Sequence, residues 1–323
     1  MRGWSRGLTI AATCALLAPG TARAGSGPWV LGAGASSLFL GIESQRLTML
    51  SIQTAPDTTD EIEVGEGLST LGVKGIVSYG LLPRIEASVQ VPWFRVQANR
   101  QDEEVCAALG LGACRTTQGV GIIEARAKAL LVDELRGSPL SVSVGVLARY
   151  GAFTAPTRQR ITNIGEGTFD LGPTLAIGRI GGLGRWSGYW SAWADLGWRY
   201  RFGNTDDFPS IDGPVPGSEY TGDVELLVSP GDGRIGFGPA VTGFWRPNGV
   251  DWYELERDGT LTDVDRFSAL RVYNIRVGGE ILVRGRAGTT LSVSGQRVVV
   301  ALNNPTDVLV FTIGLSFNRT PDT

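Results

Sequence analysis

Between Leu68 and Val96 apolar and polar residues alternate on both sides of a short turn, and this restricts the fold more than any other feature of the chain. On the first arm Leu71, Val73, Val77, Tyr79 and Leu81 share one face, and Thr70, Gly72, Lys74, Ser78 and Gly80 share the other. Beyond Leu82-Pro83-Arg84, Ile85, Ala87, Val89, Val91 and Trp93 alternate with Glu86, Ser88, Gln90, Pro92 and Phe94. A period of two places each set on one face of a strand, whereas a helix would scatter the apolar set around its circumference. The pair reads as a hairpin, with arms longer than the ~5–6 residues usual in a soluble sheet. A soluble sandwich would bury the apolar face and a membrane barrel would turn it outward, so the remaining chain has to decide.

The same period recurs to the C-terminus. Ile123, Ala125, Ala127, Ala129 and Leu131 alternate with Glu124, Arg126 and Lys128, and Leu140, Val142, Val144, Val146, Ala148 and Tyr150 with Ser141, Ser143 and Arg149. Phe169, Leu171, Leu175 and Ile177 oppose Thr168, Asp170 and Thr174; Trp190 to Tyr200 oppose Ser191, Asp195, Arg199 and Arg201. Tyr220, Val224, Leu226 and Val228 oppose Thr221, Asp223 and Glu225, and the next arm carries Ile235, Phe237, Val241 and Trp245. Tyr273, Ile275, Val277, Ile281 and Val283 oppose Asn274, Arg276, Glu280 and Arg284; Leu291 and Val293 follow, and Leu309 to Phe317 close the chain. With an opening strand at Val30 to Glu43, the expectation is about twelve strands.

Connections alternate in length. Leu82 to Arg84, Glu134 to Pro139, Gly181 to Gly184, Pro230 to Gly233 and Gly285 to Gly288 are short. Ser44 to Gly67, Ala98 to Gln118, Thr154 to Gly167, Asn204 to Ser218 and Pro247 to Arg266 are long and polar. Tight periplasmic turns and larger external loops are the pattern of an outer-membrane barrel. Aromatics fit the same placement: Tyr79 and Trp190 lie near short turns, while Trp93, Tyr150, Tyr200, Phe202, Tyr220 and Trp245 lie near long loops, as two interfacial girdles require. Core aromatics of a soluble sheet are the competing reading, and that reading leaves the charges on every opposite face unexplained.

The N-terminus carries an export signal. Arg2 and Arg6 precede an apolar run from Leu8 to Leu17, and Ala22-Arg23-Ala24 is a small-x-small cleavage pattern, so residues 1–24 read as a signal peptide that takes Cys14 with it. That run is far short of the ~20 residues a spanning helix needs, and no later segment approaches that length. The full chain has 29 basic and 32 acidic residues, and the leader removes three arginines and no acid. An acidic mature chain gives no basic face for nucleic acid. Residues 25–323 show no linker or break in composition, which points to one all-β domain, a transmembrane antiparallel barrel in contact with outer-membrane lipid and lipopolysaccharide.

Gly27-Pro28-Trp29, the run Tyr79-Gly80-Leu81-Leu82-Pro83-Arg84-Ile85-Glu86 and Val91-Pro92-Trp93 resemble the outer-membrane transporters of the phenol meta-cleavage pathway type, distant in architecture from the long-chain fatty acid channels. The resemblance implies a channel for passive uptake of small solutes, apolar or aromatic compounds included. The fatty acid channels carry an N-terminal plug before the first strand, whereas here Trp29 follows the cleavage site almost at once.

The chain contains no histidine. Outer-membrane phospholipases, lipid A deacylases and omptin-type proteases use histidine as or within their general base, so the expectation is no enzyme, and neither a cofactor nor a zinc site. Cys106 and Cys114 share one long loop of an exported chain, which points to a disulfide, with two free thiols as the alternative. Asp57, Asp60, Glu61 and Glu63, and Asp251, Glu254, Glu256 and Asp258, lack the spacing of a calcium loop and read as solvated acids. The candidate functional residues are those of the polar face: Lys74, Glu86, Glu124, Arg126, Lys128, Arg149, Asp170, Asp195, Arg199, Arg201, Asp223, Glu225, Arg276, Glu280 and Arg284. In a barrel they line the lumen. Either a water path passes them, which makes a channel for a small-molecule solute, or they pair across strands and seal a structural or surface-binding barrel.

Overall fold

The structure is a computed structural model, described over residues 27–56, 58–98, 116–151, 168–184, 186–202, 218–247, 271–286, 288–302 and 304–320. In chain order the strands are β1 (Ser36–Ala55), β2 (Thr58–Leu82), β3 (Ile85–Ala98), β4 (Thr117–Val120), β5 (Ile123–Val132), β6 (Ser141–Tyr150), β7 (Phe169–Gly182), β8 (Gly188–Phe202), β9 (Glu219–Pro230), β10 (Ile235–Arg246), β11 (Val272–Arg284), β12 (Thr289–Leu302), β13 (Asn304–Pro305) and β14 (Val308–Arg319). β4 and β5 both pair with β3, and β13 adds only to the far end of β1. The remaining ladder runs antiparallel between neighbours and closes where β1 pairs with both β2 and β14, giving a closed barrel of twelve staves.

Burial is inverted relative to a soluble sheet. Leu71, Val73, Val77, Val89, Val91, Leu175, Ile177, Leu226, Ile281, Phe311 and Ile313 are all exposed on the outer surface. Among the described residues, buried polar and charged side chains outnumber buried apolar ones. Such a surface is stable only where lipid covers it, and closing the sheet leaves no unpaired strand edge within the hydrocarbon. Outward-facing rings cluster at the long-loop end: Tyr200 meets Phe202 edge to face at 4.8 Å, and Tyr220 lies 5.4 Å from Trp245. Aromatic rings suit an interface that is apolar on one side and wet on the other.

Two expectations at the N-terminal side need correction. The opening strand is not Val30 to Glu43; it starts at Ser36 and runs to Ala55. Ser44 to Gly67 is not a loop, because β1 and β2 continue past the barrel wall as a paired ladder, with Ile52 opposite Asp60 and Ala55 opposite Thr58. Beyond the lipid both faces of a strand meet water, so the apolar contrast vanishes while the backbone pairing persists. Of the first acidic group, Asp60 and Glu61 sit exposed on this extension. The signal segment, Cys106, Cys114, the second acidic group and most of the other four long connections lie outside the described residues.

Candidate functional site: the barrel interior

Alternation along each strand turns every second side chain inward, and the polar residues singled out above occupy those positions. At the short-turn end residues 27–35, which precede β1, pack against the inner wall, with Gly27, Pro28 and Ala35 buried. Pro28 is fully buried. Lys128 Nζ donates to the Gly27 carbonyl at 3.0 Å, the Leu31 amide donates to Glu86 Oε2 at 2.8 Å, and Trp29 Nε1 donates to Glu134 Oε1 at 3.0 Å. Glu134 lies in a one-turn 3-10 helix, Glu134–Arg136, and its other oxygen accepts from the Ile180 amide at 2.9 Å. The wall is cut back to admit this segment: a Cβ at Gly80 would lie 1.9 Å from the Gly32 carbonyl oxygen, and one at Gly178 would lie 2.9 Å from the Pro28 ring. The expectation of a strand from Val30 therefore gives way to an inserted segment ahead of Ser36. Also at this end, Arg284 donates to Ser229 Oγ at 3.2 Å and to the Gly233 carbonyl at 2.7 Å, with its guanidinium 5.5 Å above the Tyr189 ring.

From there an ionic chain climbs one wall. Arg126 donates to Asp195 Oδ2 at 2.7 Å, from β5 to β8, and lies 3.5 Å from Glu124. Glu124 is 3.6 Å from Arg149, and Arg149 is 3.7 Å from Asp170. Asp170 also faces Arg199 at 3.4 Å and Arg201 at 3.6 Å. Glu219 closes the chain at the long-loop end: it accepts from Arg201 at 2.9 Å and from Arg246 Nε at 2.9 Å, and pairs with Arg199. Arg201 and Glu219 are fully buried. Besides Glu43 and Glu134, sequence reasoning misses Glu219 and Arg246. Each sits one residue beyond the alternation as it was counted, next to Tyr220 and Trp245, and extending the period by one step would have found both.

Further along the sheet β9 carries Asp223 and Glu225 and β11 carries Arg276 and Glu280, each of them engaged with a neighbour. Asp223, Glu225 and Glu280 line a pocket with Trp193, Ala240, Thr242 and Gln296. Lys74 stands apart on β2, 3.5 Å from Glu43. No cluster of metal-ligating side chains occurs among the described residues.

A closed, lipid-facing barrel with a charged interior defines the outer-membrane β-barrel class. No protein-family model matches the sequence, and no curated protein sequence matches it. Among solved structures the chain is similar to an outer-membrane channel from Pseudomonas putida F1, with a TM-score of 0.59 and 12% identity over 90% of this chain and 98% of that one. The NanC porin (TM-score 0.43, 8% identity, 86% and 98% covered) and the CymD monoaromatic hydrocarbon channel (0.40, 6%, 91% and 90%) are more distant. At these identities the likeness to the first concerns the fold, and the other two add nothing to it.

Proposed function

We propose that this chain is an outer-membrane channel for passive, non-enzymatic passage of small solutes, exported by a signal peptide at residues 1–24, set among lipid and lipopolysaccharide, and carrying a Cys106–Cys114 disulfide in an external loop. The observation that carries the reading is the interior itself: charged side chains of both signs project from the wall between two ends of different character. A barrel of twelve staves is wider than the eight-stranded kind that side chains fill and narrower than the open sixteen-stranded porins. A narrow path lined by Lys74, Arg126, Arg149, Arg276 and their acidic counterparts suits small solutes. Purified protein in planar bilayers is expected to give small unitary steps, and Lys74→Gln with Arg149→Gln to shift ion preference toward cations. Folded barrel without conductance at any salt or voltage would favour the alternative, a sealed structural or surface-binding barrel.

A further inference from the structure

On three strands around the closing seam the outward series of side chains ends in an arginine. β1 runs Leu40, Ile42, Ser44, Arg46; β3 runs Val91, Trp93, Arg95; β12 runs Val293, Gly295, Arg297. Pairing fixes their face. Arg46 and Arg297 are both direct partners of Leu309, and Arg95 is the direct partner of Leu71; paired residues project to the same side of a sheet. Leu309 and Leu71 are exposed on the lipid-facing surface, and so are the three arginines. Arg46 and Arg95 each come about ten residues after their strands leave the short-turn end, and Arg297 about eight, close to the length that crosses the hydrocarbon. The three therefore stand where the wall enters the headgroups on the long-loop side. At the corresponding ends of β6, β8, β9 and β10 the outward residues are rings instead: Tyr150, Phe202, Tyr220 and Trp245.

Spacing and the surface beneath narrow the ligand. With strands ~4.8 Å apart, the backbone of Arg46 lies ~10 Å from that of Arg297 across β14 and ~12 Å from that of Arg95 across β2. Arg297 faces the exposed Asp307 carboxylate at 3.4 Å, and Arg46 is also engaged with a neighbour. Exposed pairs of this kind are weak, and a guanidinium has five donors, so a phosphate can join or displace the partner. One row closer to the hydrocarbon, Gly295, Phe311, Ser44 and Leu71 lie side by side. Phe311 leans over Gly295, its ring 4.0 Å from where a Cβ would stand, and the small Ser44 leaves a shallow track between the exposed Phe311 and Leu71. Charge at the headgroup level above an apolar track fits a lipid, and cations ~10 Å apart fit a headgroup with two separated phosphates.

We propose that Arg46, with Arg297 on one side and Arg95 on the other, forms a site on the outer wall for the bisphosphorylated disaccharide of lipid A, the membrane end of lipopolysaccharide, with one acyl chain in the track over Ser44. The site rests on the outer-membrane placement proposed above and says where on the wall that lipid is held.

The test is a native mass-spectrometric titration of the barrel refolded in detergent, with bisphosphorylated lipid A, monophosphoryl lipid A and phosphatidylglycerol as probes. One bisphosphorylated lipid A per barrel is expected to saturate first. Its half-saturation should rise about tenfold in Arg46→Gln and in Arg297→Gln, the loss of one charged hydrogen bond each. Arg179→Gln, an exposed arginine at the short-turn end of β7, should bind as the parent does, and heat-dependent migration on a denaturing gel verifies folding of every variant. Binding that neither Arg46→Gln nor Arg297→Gln weakens, or that Arg179→Gln weakens equally, overturns the site. Phosphatidylglycerol binding as tightly as bisphosphorylated lipid A overturns the two-phosphate assignment, and displacement of lipid A by equimolar inorganic phosphate assigns the arginines to free anions and overturns the lipid. KCl steps in planar bilayers without saturable lipid A binding leave the channel standing and remove the site, whereas lipid A binding without KCl steps keeps the site and removes the channel.

Discussion

Glu219 shows how much one residue can organise. It is fully buried and serves three guanidinia, from β8 and β10. Taking charges out of water is costly, so such a group contributes stability only while its partners remain, and removal of one member of a buried pair costs ~3–5 kcal/mol. Glu219→Gln should therefore lower the free energy of unfolding, measured by urea titration, by that order, and the double variant Glu219→Gln/Arg246→Gln should recover part of the loss in a double-mutant cycle. Arg201→Glu, which would set three carboxylates together, should fail to fold. For this reason Lys74 and Arg149, both partly exposed, are the better positions for altering ion preference. Most inward charges were legible in the sequence because alternation alone sets their face. Their partners were not, since Arg126 and Asp195 are 69 residues apart and two strands intervene.

The element that sequence could not reveal is the segment at 27–35. It has no period of its own, and Val30-Leu31 reads as the start of a strand. Its anchors, Glu86, Lys128 and Glu134, come from three distant places in the chain. Only the glycines hint at it: Gly80 and Gly178 interrupt otherwise regular strands where a backbone and a proline ring press against the wall. If Trp29 and Glu134 hold the segment in place, Trp29→Ala with Glu134→Gln should loosen it and enlarge the unitary conductance, while heat-modified mobility on a denaturing gel stays as in the parent. Unchanged step size in a folded double variant would mean that the segment does not constrict the path. A second gap between sequence and structure is the length of β1 and β2, 20 and 25 residues against 10 each for β5 and β6. About ten residues suffice to cross the hydrocarbon, so the surplus stands above the mouth on one side, and its polar sequence looks like a loop.

On the scale of the whole molecule, strand number, facing and connectivity were readable because a barrel repeats one simple rule twelve times. That topology is open to a direct check. In a Cys106→Ser/Cys114→Ser background, a single cysteine within 152–167 should react with an impermeant maleimide on intact cells, and one at Leu183 should not; equal reaction at both would refute the orientation. The closing ladder has a kinetic meaning as well. Ser36 pairs with Arg319 and Leu47 with Val308, so the seam joins the first strand to the last. Contacts of such sequence separation form slowly, since nearly the whole chain must be confined before they yield any stabilisation. Until the final strand arrives, the first presents an open edge beside a row of exposed apolar side chains, a template for pairing with other copies. Truncation before Val308 would leave that edge permanently unmatched, which makes the last twelve-residue strand the step on which escape from aggregation depends.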